Sequence, residues 1–266
     1  MGLHVQALGR GRPIVALPPF SLDHRVMASI LEPVLSASAD WRRLYVDLPG
    51  TGMSPAVEPR SDAVLDAVLD AVDYELDDQT FLVAGWSYGG YLAAAVARRV
   101  PERIGGMLMV CSGLRIRPED RNLEGVLPSL AEPDWLADVP LNLHDHFAHA
   151  IGCQTAATAR RVAAALALNA PTDETFLAAL HGDGFALSDE DARISIDQPA
   201  TFLNGRRDRV AGYVSTFEAL DTYKQGTYVV AADAGHYLPL EQPTLFEAVT
   251  KSWLDACIVG RAAGYA

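Results

Sequence analysis

Short apolar runs alternate with longer stretches of helical periodicity along most of this chain, and that alternation restricts the possible architectures more than any other feature. Runs rich in Val, Leu, Ile and Met fall at residues 14–17, 43–47, 81–84, 107–111, 200–203 and 227–231. Because they are nearly continuous rather than alternating with polar residues, they read as strands buried on both faces, as in a parallel sheet joined by crossover helices. Residues 4–8 are expected to add an antiparallel edge strand. Between the runs, Ser61 is expected to cap a helix whose Val64, Leu65, Val68, Leu69 and Val72 share a face. An Ala-rich helix begins near Gly89 and stops before Pro101, and Pro243 opens another that reaches about Cys257. The expected class is α/β, with a mostly parallel sheet flanked by helices.

One stretch breaks the alternation. Residues 114–196 show no strand pattern, only helical ones such as 155–168 and 172–181. About eighty residues without a strand, placed between two core strands, read as a helical insertion rather than a loop. The expected division is a core of residues 1–113 and 197–266 and a helical cap of residues 114–196.

Composition narrows the partners. Of 266 residues, 34 are Asp or Glu against 21 Lys or Arg, a formal charge of −13. That balance argues against nucleic acid, which demands basic patches, and against an anionic membrane surface. The three cysteines, Cys111, Cys153 and Cys257, are widely spaced and form no CxxC pair, which suits a reducing compartment and buried thiols. No signal-peptide pattern and no membrane-spanning apolar stretch is visible, so a cytoplasmic location is expected.

The chemistry is carried by Gly85-Trp86-Ser87-Tyr88-Gly89, which directly follows the apolar run 81–84 and directly precedes the Ala-rich helix. This G-x-S-x-G pattern places a serine on a tight strand-to-helix turn, with its hydroxyl projecting above the strand ends. The helix N-terminus offers backbone N–H groups to a developing oxyanion. Taken alone, the pattern also suits a Gly-rich turn of purely structural use; the strand before it and the helix after it favour the nucleophile. Asp208 lies just beyond the run 200–203, where a carboxylate reaches over the sheet or simply caps a turn. His236 follows the run 227–231, with Gly235 allowing the turn that carries the imidazole toward the serine.

With these residues in view, the chain resembles the α/β-hydrolase superfamily, in its branch of small esterases and related enzymes with a helical cap. Asp47-Leu48-Pro49-Gly50-Thr51-Gly52-Met53-Ser54 is similar to the D-x-P-G-x-G-x-S loop of that branch. Gly205-Arg206-Arg207-Asp208 is similar to its acid turn, and Gly235-His236 followed by Glu241-Gln242-Pro243 to its histidine segment. The resemblance implies an α/β-hydrolase fold and a triad of Ser87 as nucleophile, Asp208 as acid and His236 as base, in family order. Some relatives carry the acid after the preceding core strand, but Cys111-Ser112-Gly113 there offers no carboxylate. Glu241 is expected to be a structural anchor.

The oxyanion hole is expected to use the backbone N–H of Tyr88 and one from the turn after residues 14–17. Relatives usually have His-Gly in that turn, whereas this chain has Pro18-Pro19-Phe20. The donor then falls on Phe20, since Pro19 has no N–H. Trp86, Trp135, Phe147 and Phe185 are expected around the substrate, although Trp86 and Tyr88 suit core packing equally well. His144, His146 and His149 invite a metal reading, but on a helix His144 and His146 point to different faces, and the triad needs no metal. A solvated helix with one His facing substrate is the expected arrangement, with no metal and no cofactor.

The implied activity is hydrolysis of a small or medium, partly apolar acyl substrate (a carboxylic ester, thioester or lactone) through an acyl-enzyme on Ser87. A serine nucleophile argues against dehalogenase chemistry, for which relatives carry Asp. The unusual proline turn also suits a lyase or acyltransferase on the same fold, and a receptor-like binding protein with poor turnover is a third alternative.

Overall fold

The computed structural model describes residues 2–123, 126–182, 184–192, 195–218 and 220–262. The chain runs through β1 (Val5–Leu8), β2 (Arg12–Leu17), α1 (His24–Leu35), β3 (Trp41–Val46), α2 (Ser61–Leu76), β4 (Phe81–Trp86), α3 (Tyr88–Arg99) and β5 (Ile104–Val110). The next segment carries β6 (Leu130–Ala131), α4 (His144–Ala150), β7 (Cys153–Gln154), α5 (Ala156–Leu166) and α6 (Glu174–His181). It is followed by β8 (Ile196–Gly205), α7 (Val214–Glu218), β9 (Tyr223–Ala231), α8 (Leu238–Glu241) and α9 (Pro243–Ala262).

Seven strands form one sheet in the order β1-β3-β2-β4-β5-β8-β9. Only β1 is antiparallel to its neighbour, through register pairs such as Val5 with Val46; the remaining pairs are parallel. All the strands read from the sequence are present, the antiparallel edge included.

The continuous apolar runs serve two faces, because successive side chains of a strand point to opposite sides. Ile14, Ala16, Leu82, Ala84, Leu108 and Val110 pack with Val26, Met27 and Ile30 of α1 and with Phe246 and Trp253 of α9. Val15, Leu17, Phe81, Val83, Met107 and Met109 pack on the other face with Val64, Leu65 and Val68 of α2 and Leu92 and Val96 of α3.

Three details differ from the sequence expectations. The segment after β5 contains two short strands, with Leu130 paired to Cys153 and Ala131 to Gln154; a two-residue bridge is too short to leave a periodic signal. The helix α1 is unforeseen, because Pro33 inside it masks a stripe formed by Val26, Met27, Ile30, Leu31 and Val34; its cap is Asp23, whose side chain accepts from Arg25 N–H. Ser61 does not cap α2, where Arg60 holds the N-cap position. The Ser61 hydroxyl instead turns inward, donating to the Phe185 carbonyl at 2.6 Å and meeting the Tyr88 hydroxyl at 2.8 Å.

The segment between β5 and β8 is fastened to the sheet at several points. The Ala150 carbonyl accepts the His236 N–H at 2.8 Å, and the Gly50 carbonyl accepts the Asp173 N–H at 2.9 Å. The Asp23 carboxylate accepts the Ala170 N–H at 2.7 Å.

Candidate active site

Ser87 sits between β4 and α3 at φ 55° and ψ −121°, a conformation that costs a non-glycine residue about 1–3 kcal/mol. The turn is held from the neighbouring strand end: Ser87 N–H donates to the Val110 carbonyl at 2.9 Å, and the Ser112 hydroxyl donates to the Ser87 carbonyl at 2.7 Å. The flanking glycines are dictated by close approach. A Cβ on Gly89 would lie 2.0 Å from the Leu17 carbonyl oxygen, and one on Gly85 would lie 2.1 Å from that of Gly89. The same contact presses the start of α3 against the end of β2, so the two turns expected to supply oxyanion donors are adjacent.

The ends of β8 and β9 deliver the other two groups. His236 Nε2 is 2.9 Å from Ser87 Oγ, and His236 Nδ1 is 2.9 Å from Asp208 Oδ2. Asp208 is fully buried, and its other oxygen, Oδ1, accepts the N–H groups of Val210 and Ala211 at 2.8 and 2.9 Å. The His236 loop is anchored on both sides. Its carbonyl accepts the Trp86 indole N–H at 3.0 Å, and the buried Glu241 carboxylate accepts the N–H groups of Gly235, Gly152 and Cys153, each at 2.9 Å. Gly235 is required by close approach rather than by an unusual turn, since a Cβ there would lie 2.4 Å from the Ala150 carbonyl oxygen.

Ser87 and His236 open into a cavity of about 610 Å³. Phe20, Tyr88, His181 and Phe185 form an aromatic wall, with Tyr88 and Phe185 stacked at 5.2 Å and Phe20 set edge-on to both. Trp86 borders the cavity, although it too belongs to the buried cluster beneath the sheet's end. Trp135 and Phe147 do not border the cavity: both are buried in the core, where Phe147 packs against Tyr237. Helical periodicity alone cannot tell a residue facing a cavity from one facing the core beneath it.

Tyr88 opens α3 and Phe20 follows Pro19, whose carbonyl accepts the Leu22 N–H at 3.2 Å. Among the described hydrogen bonds, neither the Phe20 nor the Tyr88 N–H has a protein partner. Of the three histidines in or beside α4, His144 bonds the Val139 carbonyl at 2.9 Å while His146 faces the cavity and meets the Tyr237 hydroxyl at 2.7 Å. Burial, aided by nearby His236, pushes the His146 pKa down. Sequence reasoning also missed Ser112, Arg121, His181 and Tyr237 as cavity residues. Ser112 and Tyr237 are adjacent to expected landmarks, but Arg121 and His181 carry no local signal.

Elsewhere, His4, His24 and Asp47 bring potential ligand atoms within 4.8 Å of one another. Asp47 is already engaged: Oδ1 accepts from the His24 ring and backbone, and Oδ2 accepts the Met53 N–H. This network fixes the Asp47–Gly52 loop. Among the described residues, no helix is long and apolar enough to cross a membrane.

The profile of the Alpha/beta hydrolase family matches residues 14–249. Among named relatives, the pimeloyl-(acyl-carrier protein) methyl ester esterase of Shewanella woodyi is 30% identical over 129 residues, covering 48% of this chain and 47% of that protein. Its counterpart in Chromobacterium violaceum is 35% identical over 115 residues, covering 43% and 42%. These matches therefore span less than half of the two esterases' own length. The AB hydrolase superfamily protein YisY of Bacillus subtilis is 27% identical over 256 residues, covering 88% of each chain. Among solved structures, an alpha/beta superfamily hydrolase from Oenococcus oeni PSU-1 superposes with a TM-score of 0.86 at 24% identity, over 96% of both chains. By that profile match over most of its length, the chain belongs to the alpha/beta hydrolase family.

Proposed function

We propose that the chain is a serine esterase that cleaves a small or medium, partly apolar acyl substrate through an acyl-enzyme on Ser87. The observation that carries this reading is the continuous hydrogen-bonded row of Asp208, His236 and Ser87, ending on a strained serine in a cavity. Asp208 accepts from Nδ1–H and so leaves Nε2 as an acceptor for the Ser87 hydroxyl proton. Ser87 Oγ bonds to the substrate carbonyl carbon as its proton passes to His236 Nε2. The resulting oxyanion receives the N–H groups of Tyr88 and Phe20. Collapse breaks the carbon–oxygen bond to the alcohol, which leaves with the proton from His236. Water then attacks the acyl carbon, gives its proton to His236, and releases the acid and free Ser87.

Residues 114–196 act in this reading as a cap, since Leu143, His146, Leu166, His181 and Phe185 contribute to the cavity wall. The two esterase relatives support ester cleavage over thioester or lactone cleavage.

The test is labelling by a fluorophosphonate, with p-nitrophenyl butyrate turnover measured alongside, in the wild type and Ser87→Ala. Both signals are expected in the wild type, with turnover falling about 10⁴-fold or more in the variant. A folded wild type that takes no label and releases no nitrophenol would overturn the reading.

A further inference from the structure

The cavity wall inverts the charge of the chain. The sequence carries 34 acidic residues against 21 Lys and Arg, yet among the described residues no Asp or Glu lines the cavity, while Arg115 and Arg121 do. Arg115 is neutralised by Asp120 and Asp191, and half of its side chain lies in solvent. Arg121 is different: it is only partly exposed, and among the described residues it has no carboxylate partner. Its guanidinium donates instead to two neutral carbonyls, that of Val210 at 2.8 Å and that of Ile116, both on cavity-lining residues.

Two carbonyl oxygens hold the group in place without balancing its charge, and burial pushes its pKa down. A guanidinium has five N–H donors in a fixed fork, so three remain beyond the two in use. Two acids support it electrostatically without bonding to it: Asp208, whose oxygens are already engaged by His236, Val210 and Ala211, and, more weakly, Glu119. The tether to Val210 sets Arg121 against the acid turn, while Leu143, Leu166 and Phe185 supply apolar surface. A planar carboxylate suits such a fork, whereas a phosphate dianion would need further cations. With its pKa lowered, His146 does not supply a second lasting charge at neutral pH.

We infer that this cavity selects acyl substrates bearing a free carboxylate, and that Arg121 is the residue that reads it. The inference rests on the ester-cleaving reading of the same site, but its anion preference is separately measurable.

The experiment compares the p-nitrophenyl hemiester of adipic acid with neutral p-nitrophenyl hexanoate in the wild type, Arg121→Met and Arg121→Lys. The wild type is expected to favour the hemiester in kcat/KM. Arg121→Met should lower the ratio of the hemiester value to the hexanoate value about tenfold to a hundredfold, and Arg121→Lys should fall between. In parallel, calorimetry measures binding of monomethyl adipate and dimethyl adipate to Ser87→Ala, with and without Arg121→Met.

A wild-type preference for the neutral ester, or an equal loss on both esters in Arg121→Met, would overturn the inference. Should Arg121→Met fail to fold, the wild-type preference and Arg121→Lys decide the matter alone. Arg121-dependent binding of the monoester without turnover would overturn ester cleavage and keep the carboxylate site. Turnover without anion preference would do the reverse.

Discussion

Asp208 has both oxygens committed, and their two sets of partners fix what an amide would do in its place. In Asp208→Asn, the oxygen is held by the two N–H groups of Val210 and Ala211, so the NH₂ must face His236 Nδ1. The imidazole then keeps its proton on Nε2, turned toward Ser87, and can no longer accept from the hydroxyl. We expect kcat to fall about 10³–10⁴-fold with little change in KM or stability; a loss below tenfold in steady-state kinetics would remove Asp208 from the orienting role. The three residues of this row were legible in the sequence because each stands directly after an apolar strand run, so local order placed them over one sheet edge. Arg121 was not. It is one of 21 Lys and Arg, and its meaning comes only from contacts with Val210 and Ile116, which no local pattern encodes.

Among the elements, α8 does more than its single turn suggests, because Glu241 at its end ties the loop of His236 to β7. Its carboxylate takes three converging N–H groups, one on Oε1 and two on Oε2. A glutamine has only one acceptor oxygen, so Glu241→Gln leaves an amide NH₂ pressed against at least one N–H and should cost about 1–3 kcal/mol. Burial pushes the Glu241 carboxyl up to about 7 from its ordinary 4.5. Between those values the folded chain holds a proton that the unfolded chain has released, so the stability contributed by this group is full below pH 4.5 and falls as pH rises toward 7. The slope approaches 1.4 kcal/mol per pH unit at about its steepest. Urea unfolding of the wild type and Glu241→Gln across that range measures it, and a pH-independent difference between the two would mean that Glu241 does not titrate there. At this scale the sequence was readable wherever an element carries its own period, as β4, α2 and α5 do. It was unreadable where pairing partners decide: β6 and β7 exist only through each other, and the inward faces of the 114–196 segment are set by what lies under them. Trp135 and Phe147 were placed in the cavity by residue type, and the sheet drew them into the core instead.

At the scale of the whole molecule, the described residues of that segment form no separate buried cluster. Trp135, Phe147, Ala159 and Val162 belong to the same buried cluster as Ile14, Leu82 and Leu108, while Phe176, Leu177 and Leu180 join Val15, Phe81 and Met107 on the opposite face. A unit that shares its apolar contacts with the sheet on both faces gains little by staying folded after the sheet has melted, so unfolding should be a single cooperative step. The tryptophans make this measurable, because Trp135 lies within the segment and Trp253 in α9. Variants retaining one or the other should unfold in guanidinium with the same midpoint, coincident with the loss of helical circular dichroism. Phe147→Ala, which empties a fully buried site beside Tyr237, should lower stability by about 3–5 kcal/mol and shift both tryptophan signals together. A shift confined to the Trp135 signal would mean that residues 114–196 unfold as an independent lid, and access to Ser87 would then be governed by local opening of that lid rather than by the fixed shape of the cavity.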